Sequence, residues 1–198
     1  MNSRKFWAKF SIAAALLVPP LSVSADPNPD VAAVVARMRG MSGFRANISI
    51  SSGGGALRGV LSYSSGKTHL ALSDGRIIAS TGRELVVFNP SSGVAGKQLM
   101  VPGGGGLGWL LTGFRTRVSG NTAQLESENP TSNIQEVRIR WKEGHLLEQL
   151  NIKHKNSSDW LSITLSNVRA VDGFPVSLFS YDPPAGSRTV ENPLNQSN

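Results

Sequence analysis

Ile134–Val168 reads IQEVRIRWKEGHLLEQLNIKHKNSSDWLSITLSNV, and this stretch decides the fold class. Val137, Ile139 and Trp141 alternate with Glu136, Arg138 and Arg140, the two-residue period of a strand with one buried face. Glu143-Gly144 breaks the pattern, and so does Asn156-Ser157-Ser158-Asp159. Three strands are therefore expected, at Ile134–Trp141, His145–Lys153 and Trp160–Val168. Leu150 and Ile152 of the second match Leu161, Ile163 and Leu165 of the third, as neighbours on one face of an antiparallel meander would.

The same period extends upstream. Phe44, Ala46, Ile48 and Ile50 alternate with Arg45, Asn47, Ser49 and Ser51, and Leu57, Gly59, Leu61 and Tyr63 repeat the pattern after a Ser-Gly-Gly-Gly turn. Strands are expected at Lys67–Ser73 (Leu70 and Leu72 on one face), Arg76–Ser80, Glu84–Asn89, Phe114–Val118 and Ala123–Glu126. Asp74-Gly75 between two of them is a strong hairpin signal. A last strand is expected at Phe174–Tyr181, ended by Asp182-Pro183-Pro184. About eleven strands in succession point to a mainly β, up-and-down antiparallel sheet curling toward a barrel. Two segments differ. Val31–Met41 is Ala-rich, with Val31, Val34, Val35 and Met38 at helical spacing behind Asp30 as a cap. Leu107–Leu111 (LGWLL, with Trp109 and Leu110) follows four glycines and suits a short helix or lid.

The chain has 198 residues, no Cys, and 17% charged side chains, too few for a disordered chain. Absence of Cys excludes disulfides, a zinc–thiolate site, a thiol nucleophile and lipid attachment at an N-terminal cysteine. Residues 1–25 have the form of a cleaved secretory signal peptide: Arg4, Lys5 and Lys9, then the apolar run Phe10–Val18, then small residues before Asp26. Removing them lowers the net charge from +7 to +4, and with it most of the case for nucleic acid. The expectation is one domain over 26–198 with a flexible tail from about 187, exported to the periplasm, soluble and monomeric.

Little in the sequence promises catalysis. Gly103, Gly105 and Gly108 satisfy G-x-G-x-x-G, but no β-α-β unit surrounds them. His69, His145 and His154 fall on different expected strands, so no metal site or cofactor is expected. No G-x-S-x-G elbow is present, and a hydrolase would need those histidines to converge with a Ser and an Asp. Arg138, Arg140, Lys153 and Lys155 alternate with aliphatics and read as a solvated face, not a nucleic-acid groove. The expectation is a protein that is not an enzyme.

Phe44-x-Ala46-x-Ile48, Gly59-x-Leu61-x-Tyr63-x-x-Gly66-Lys67, Ile78–Pro90 (IASTGRELVVFNP) and Leu178–Gly186 (LFSYDPPAG) occur in this order. Their order and spacing resemble those of the periplasmic outer-membrane lipoprotein carrier family, LolA. The resemblance implies an unclosed antiparallel half-barrel with short α-helices as a lid over a concave apolar face. It also implies lipoprotein acyl chains as cargo, an inner-membrane lipoprotein-releasing ABC transporter as donor and an outer-membrane acceptor. On that reading Leu61, Tyr63, Leu70, Leu72, Val137, Ile139, Trp141, Leu150, Ile152, Leu161, Ile163 and Leu165 face the lipid. Val31, Val34, Val35, Met38, Trp109 and Leu110 belong to the lid. The arginine that latches the family's lid corresponds to Ser64 here, which leaves Lys67 and Arg76 as latch candidates. A non-transporting envelope interaction or lipid-sensing module on the same half-barrel is the alternative.

Overall fold

The computed structural model describes residues 27–53, 55–100 and 107–191. The expected signal segment, Val101–Gly106 and the last seven residues lie outside the described residues. Helix α1 runs over Pro29–Gly40, two residues earlier than expected, and its cap is Asn28, not Asp30. The Asn28 side-chain oxygen accepts from the backbone N–H groups of Asp30 and Val31. Pro29 suits the first helical position because its φ is already helical and its missing N–H would have no partner there. Val31, Val34, Val35 and Met38 form the buried stripe of α1.

Twelve strands form one sheet that does not close. They are β1 (Gly43–Ser52), β2 (Gly55–Ser64), β3 (Lys67–Leu72), β4 (Ile77–Ser80), β5 (Glu84–Asn89), β6 (Val94–Leu99), β7 (Phe114–Ser119), β8 (Thr122–Ser127), β9 (Ile134–Lys142), β10 (Leu146–His154), β11 (Trp160–Ala170) and β12 (Arg188–Glu191). Their spatial order is β12-β6-β5-β4-β3-β2-β1-β11-β10-β9-β8-β7. Two meanders, β1 to β6 and β7 to β11, are thus joined at the middle by antiparallel pairing of β1 with β11. The half-barrel class holds, and among the described residues the helical cover consists of α1 and the 3₁₀ turn η1 (Leu107–Leu111).

Register places one alternate set of side chains on a common inner face. Ile50 lies opposite Leu57 and Ile163, Leu150 opposite Ile139 and Ile163, and Leu70 opposite Leu61 and Ile78. These side chains and the stripe of α1 belong to one buried cluster, so the helix lies on the inner face. Register shifts in β1–β11 near Asn47 and in β10 between Leu147 and Gln149 bend the sheet locally, as bulges do.

Three expectations are corrected. Phe174–Tyr181 is not a strand: Pro175 introduces the single turn η3 (Val176–Leu178), and the segment packs by its rings instead. Phe174 meets Phe179 edge-on at 5.9 Å, and Tyr181 lies 5.8 Å from Phe88. The reason lies in β5, where Leu85, Val86, Val87 and Phe88 are all buried. A strand apolar on both faces needs a cover on each, and rings of the C-terminal segment contribute to the outer one. Second, Val94–Leu99 lies outside every strand expected from the sequence and is β6. Third, the tail expected to be flexible from about 187 contains β12, parallel to β6, with the Arg188 N–H donating to the Gly93 carbonyl at 2.8 Å.

Candidate ligand-binding cavity under the helix

A cavity of about 100 Å³ lies between α1, η1 and the inner face. Its floor is Phe44 and Ile48 of β1, Leu61 and Tyr63 of β2, Leu147 and Leu150 of β10, and Ile163 and Leu165 of β11. Met38 and Arg39 of α1 and Leu107 of η1 form its cover, and Thr68 of β3 completes the wall. The floor spans both meanders, since β1 and β11 bring their inner faces side by side. Phe44 and Tyr63 are register partners, and their rings stack at 5.2 Å. The lining residues are apolar apart from Arg39, Tyr63 and Thr68, the last two being register partners across β2 and β3.

The residues singled out from sequence divide into two groups. Leu61, Tyr63, Leu150, Ile163 and Leu165 line the cavity. Leu70, Leu72, Val137, Ile139, Trp141, Ile152 and Leu161 lie in the same inner-face cluster but do not line it. Among the lid residues, Val31, Val34, Val35, Trp109 and Leu110 pack into that cluster and Met38 reaches the cavity. Phe44 and Ile48 were legible in the alternation of β1. Leu147 was not, because the shift between Leu147 and Gln149 turns it inward beside Trp141, against simple two-residue counting. Arg39 and Thr68 are polar, and a search for apolar periodicity passes over them.

The latch candidates are corrected. Arg76 is held in its own turn, its Nε donating to Asp74 Oδ2 at 2.6 Å. Lys67 alternates with Thr68 and Leu70 of the inner face, and so points to the outer one. Two other contacts involve the cover, the first between its own two parts and the second between α1 and the turn after β9. The Arg39 guanidinium lies against Gly108 of η1, and Asp30 Oδ1 is 3.7 Å from Nε2 of His145. His145 was expected in a strand. It sits instead in the turn η2 (Glu143–His145), where Gly144 and His145 both take positive φ, and its ring stacks on Trp141 at 6.1 Å.

Outside the cavity Arg138, Arg140, Lys153 and Lys155 have partners. Arg138 bonds Glu136 and Arg140 bonds Glu148 at 2.6 and 2.8 Å, and Arg138 and Lys153 also lie over the ring of Trp160. His69 is on the outer face opposite Ser62, and burial and then the nearby Arg45 charge lower its pKa. Among the described residues no three His, Cys, Asp or Glu side chains converge as a metal site would require, and no helix is long and apolar enough to cross a membrane.

No protein-family model matches the sequence, and no curated protein matches it either. Solved structures do share the fold. An uncharacterized conserved protein from Thermus thermophilus superposes with a TM-score of 0.56 at 6% identity, over 82% of this chain and 97% of the other. The Mycobacterium tuberculosis lipoprotein LppX gives 0.44 at 13% identity, over 74% and 96%. A putative outer membrane lipoprotein-sorting protein domain from Vibrio parahaemolyticus gives 0.41 at 8% identity, over 76% and 94%. The likeness is one of fold, and the Thermus thermophilus structure carries it.

Proposed function

We propose that this protein is an exported, soluble carrier that shelters acyl chains between α1 and the inner face of the half-barrel, without catalysing a reaction. The observation that carries the reading is the cavity itself, apolar on its floor and covered by a helix and a short turn with few polar ties to the sheet. The physical need is plain. At ~0.8 kcal/mol per buried CH₂, one long acyl chain is held in a membrane by about 10 kcal/mol, so transfer through water requires a cover. The cavity of about 100 Å³ is smaller than the roughly 150 Å³ that admits one benzene. Loading therefore requires α1 and η1 to move off the sheet, and a cover held mainly by apolar contact can do so without breaking a polar network.

The family resemblance extends the proposal to lipoprotein acyl chains moved from an inner-membrane ABC transporter to an outer-membrane acceptor. Titration of a neutral fluorescent acyl probe into the purified protein tests the carrier reading, with native mass spectrometry of envelope material to see whether lipid or lipoprotein accompanies it. Saturable binding lost on Leu150→Asp in a folded variant is the expected result. Absence of binding overturns it in favour of an envelope interaction or sensing module, which the small cavity also suits.

A further inference from the structure

We propose that Arg39 gives this cavity a preference for amphiphiles with an anionic head, so that the cargo is an acyl chain ending in a carboxylate or phosphate. The inference rests on the carrier reading and narrows its substrate class. Arg37 and Arg39 both end α1, where a cation complements the helix C-terminus, and both are exposed. Only Arg39 lines the cavity. Its guanidinium lies against Gly108, the position of η1 where a side chain would collide with it, so the head of Arg39 rests between helix and turn at the cavity's edge.

Asp74, Glu126, Glu128, Glu136 and Glu148 each pair with an arginine or lysine, and Arg39, like several other basic residues, belongs to none of the ion pairs among the described residues. A guanidinium beside an apolar cavity, without a carboxylate of its own, offers a fork of donors matched to carboxylate and phosphate oxygens. Tyr63 and Thr68 line the same cavity, and their hydroxyls are donors of the kind that suits an anion. An uncharged ester head would leave the guanidinium as it is, while an anionic head would pair with it as the chain fills the apolar floor. Preference between the two heads is therefore the quantity to read.

The experiment is competition against the neutral fluorescent acyl probe, using dodecanoate, its methyl ester and dodecyl phosphate, on wild type, Arg39→Gln and Arg37→Gln, with folding checked by circular dichroism. Wild type should bind at least one anion about tenfold more tightly than the ester, a step worth one charge-assisted hydrogen bond. Preference for dodecanoate alone names a carboxylate head, and preference for dodecyl phosphate a phosphate one. Arg39→Gln should bring anion affinity down to that of the ester, and Arg37→Gln should keep the wild-type preference. Equal binding of ester and anions by wild type, or equal loss in both variants, overturns the proposal while the carrier reading stands. If the neutral probe itself does not bind, the carrier reading and this proposal fall together.

Discussion

The guanidinium of Arg39 lies against the backbone of Gly108, in the space that a side chain at position 108 would take. This contact joins the end of α1 to η1, two segments far apart in the chain, where Lys67 and Arg76 make no tie. The atom in the way is the far end of a flexible side chain, so it can move at small cost. Gly108→Ala should therefore keep the thermal midpoint or raise it, by at most the ~1 kcal/mol that Ala gains over Gly in a helical turn. It should also displace Arg39. Thermal melts and the comparison of ester and anion binding check both halves: stability kept, head preference reduced.

Ile139 is 0% exposed between Leu150 and Ala123, its register partners, and lies away from the cavity. Ile139→Ala should cost about 2–5 kcal/mol, the range for a buried aliphatic cut to Ala in a site that cannot collapse. Urea denaturation should show a lower midpoint with an unchanged slope. A loss below ~1 kcal/mol would mean that this part of the inner face is loosely packed.

His69 and His154 both have lowered pKa values, chiefly because burial disfavours the charged ring; a backbone hydrogen bond at Asn133 opposes the shift of His154, and Arg45 reinforces that of His69. In the unfolded chain each imidazole takes up its proton near the ordinary value of about 6.5. As pH falls through that value the unfolded state binds more protons than the native one, so stability declines. The stabilisation is complete above the ordinary value and lost toward the lowered native one. Denaturation midpoints should fall as pH drops through the ordinary imidazole value of about 6.5 toward the lowered native one, and His154→Asn should flatten the decline.

Ending the chain after Ser187 removes β12, whose side chains are exposed except for the half-buried Val190. The loss is one of ladder hydrogen bonds more than of packing, and should amount to about 1–3 kcal/mol. It also opens the edge of β6 to other chains. The truncated protein should fold, melt lower, and self-associate on size-exclusion chromatography as concentration rises.

Alternation alone determined most of the inner face of this protein. Val137, Ile139, Leu150, Ile152, Ile163 and Leu165 share a side because a strand's period is two, and a slip by one residue would expose the whole set. The stripe of α1 followed in the same way from its helical period. The pairing of β1 with β11 was left undecided, because strands far apart in sequence, such as those of Ile48 and Leu165, carry no mark of their partner. The same holds for the strand at Val94–Leu99 and its parallel partner Arg188–Glu191: neither is apolar enough to announce itself, and each is ordered by a neighbour's unsatisfied backbone. Phe174–Tyr181 had the composition of a strand, yet the outer face of β5 needed rings more than another ladder. Arg39 was decided by tertiary structure alone. A charged residue at a helix end reads as solvated until the fold sets an apolar cavity beside it.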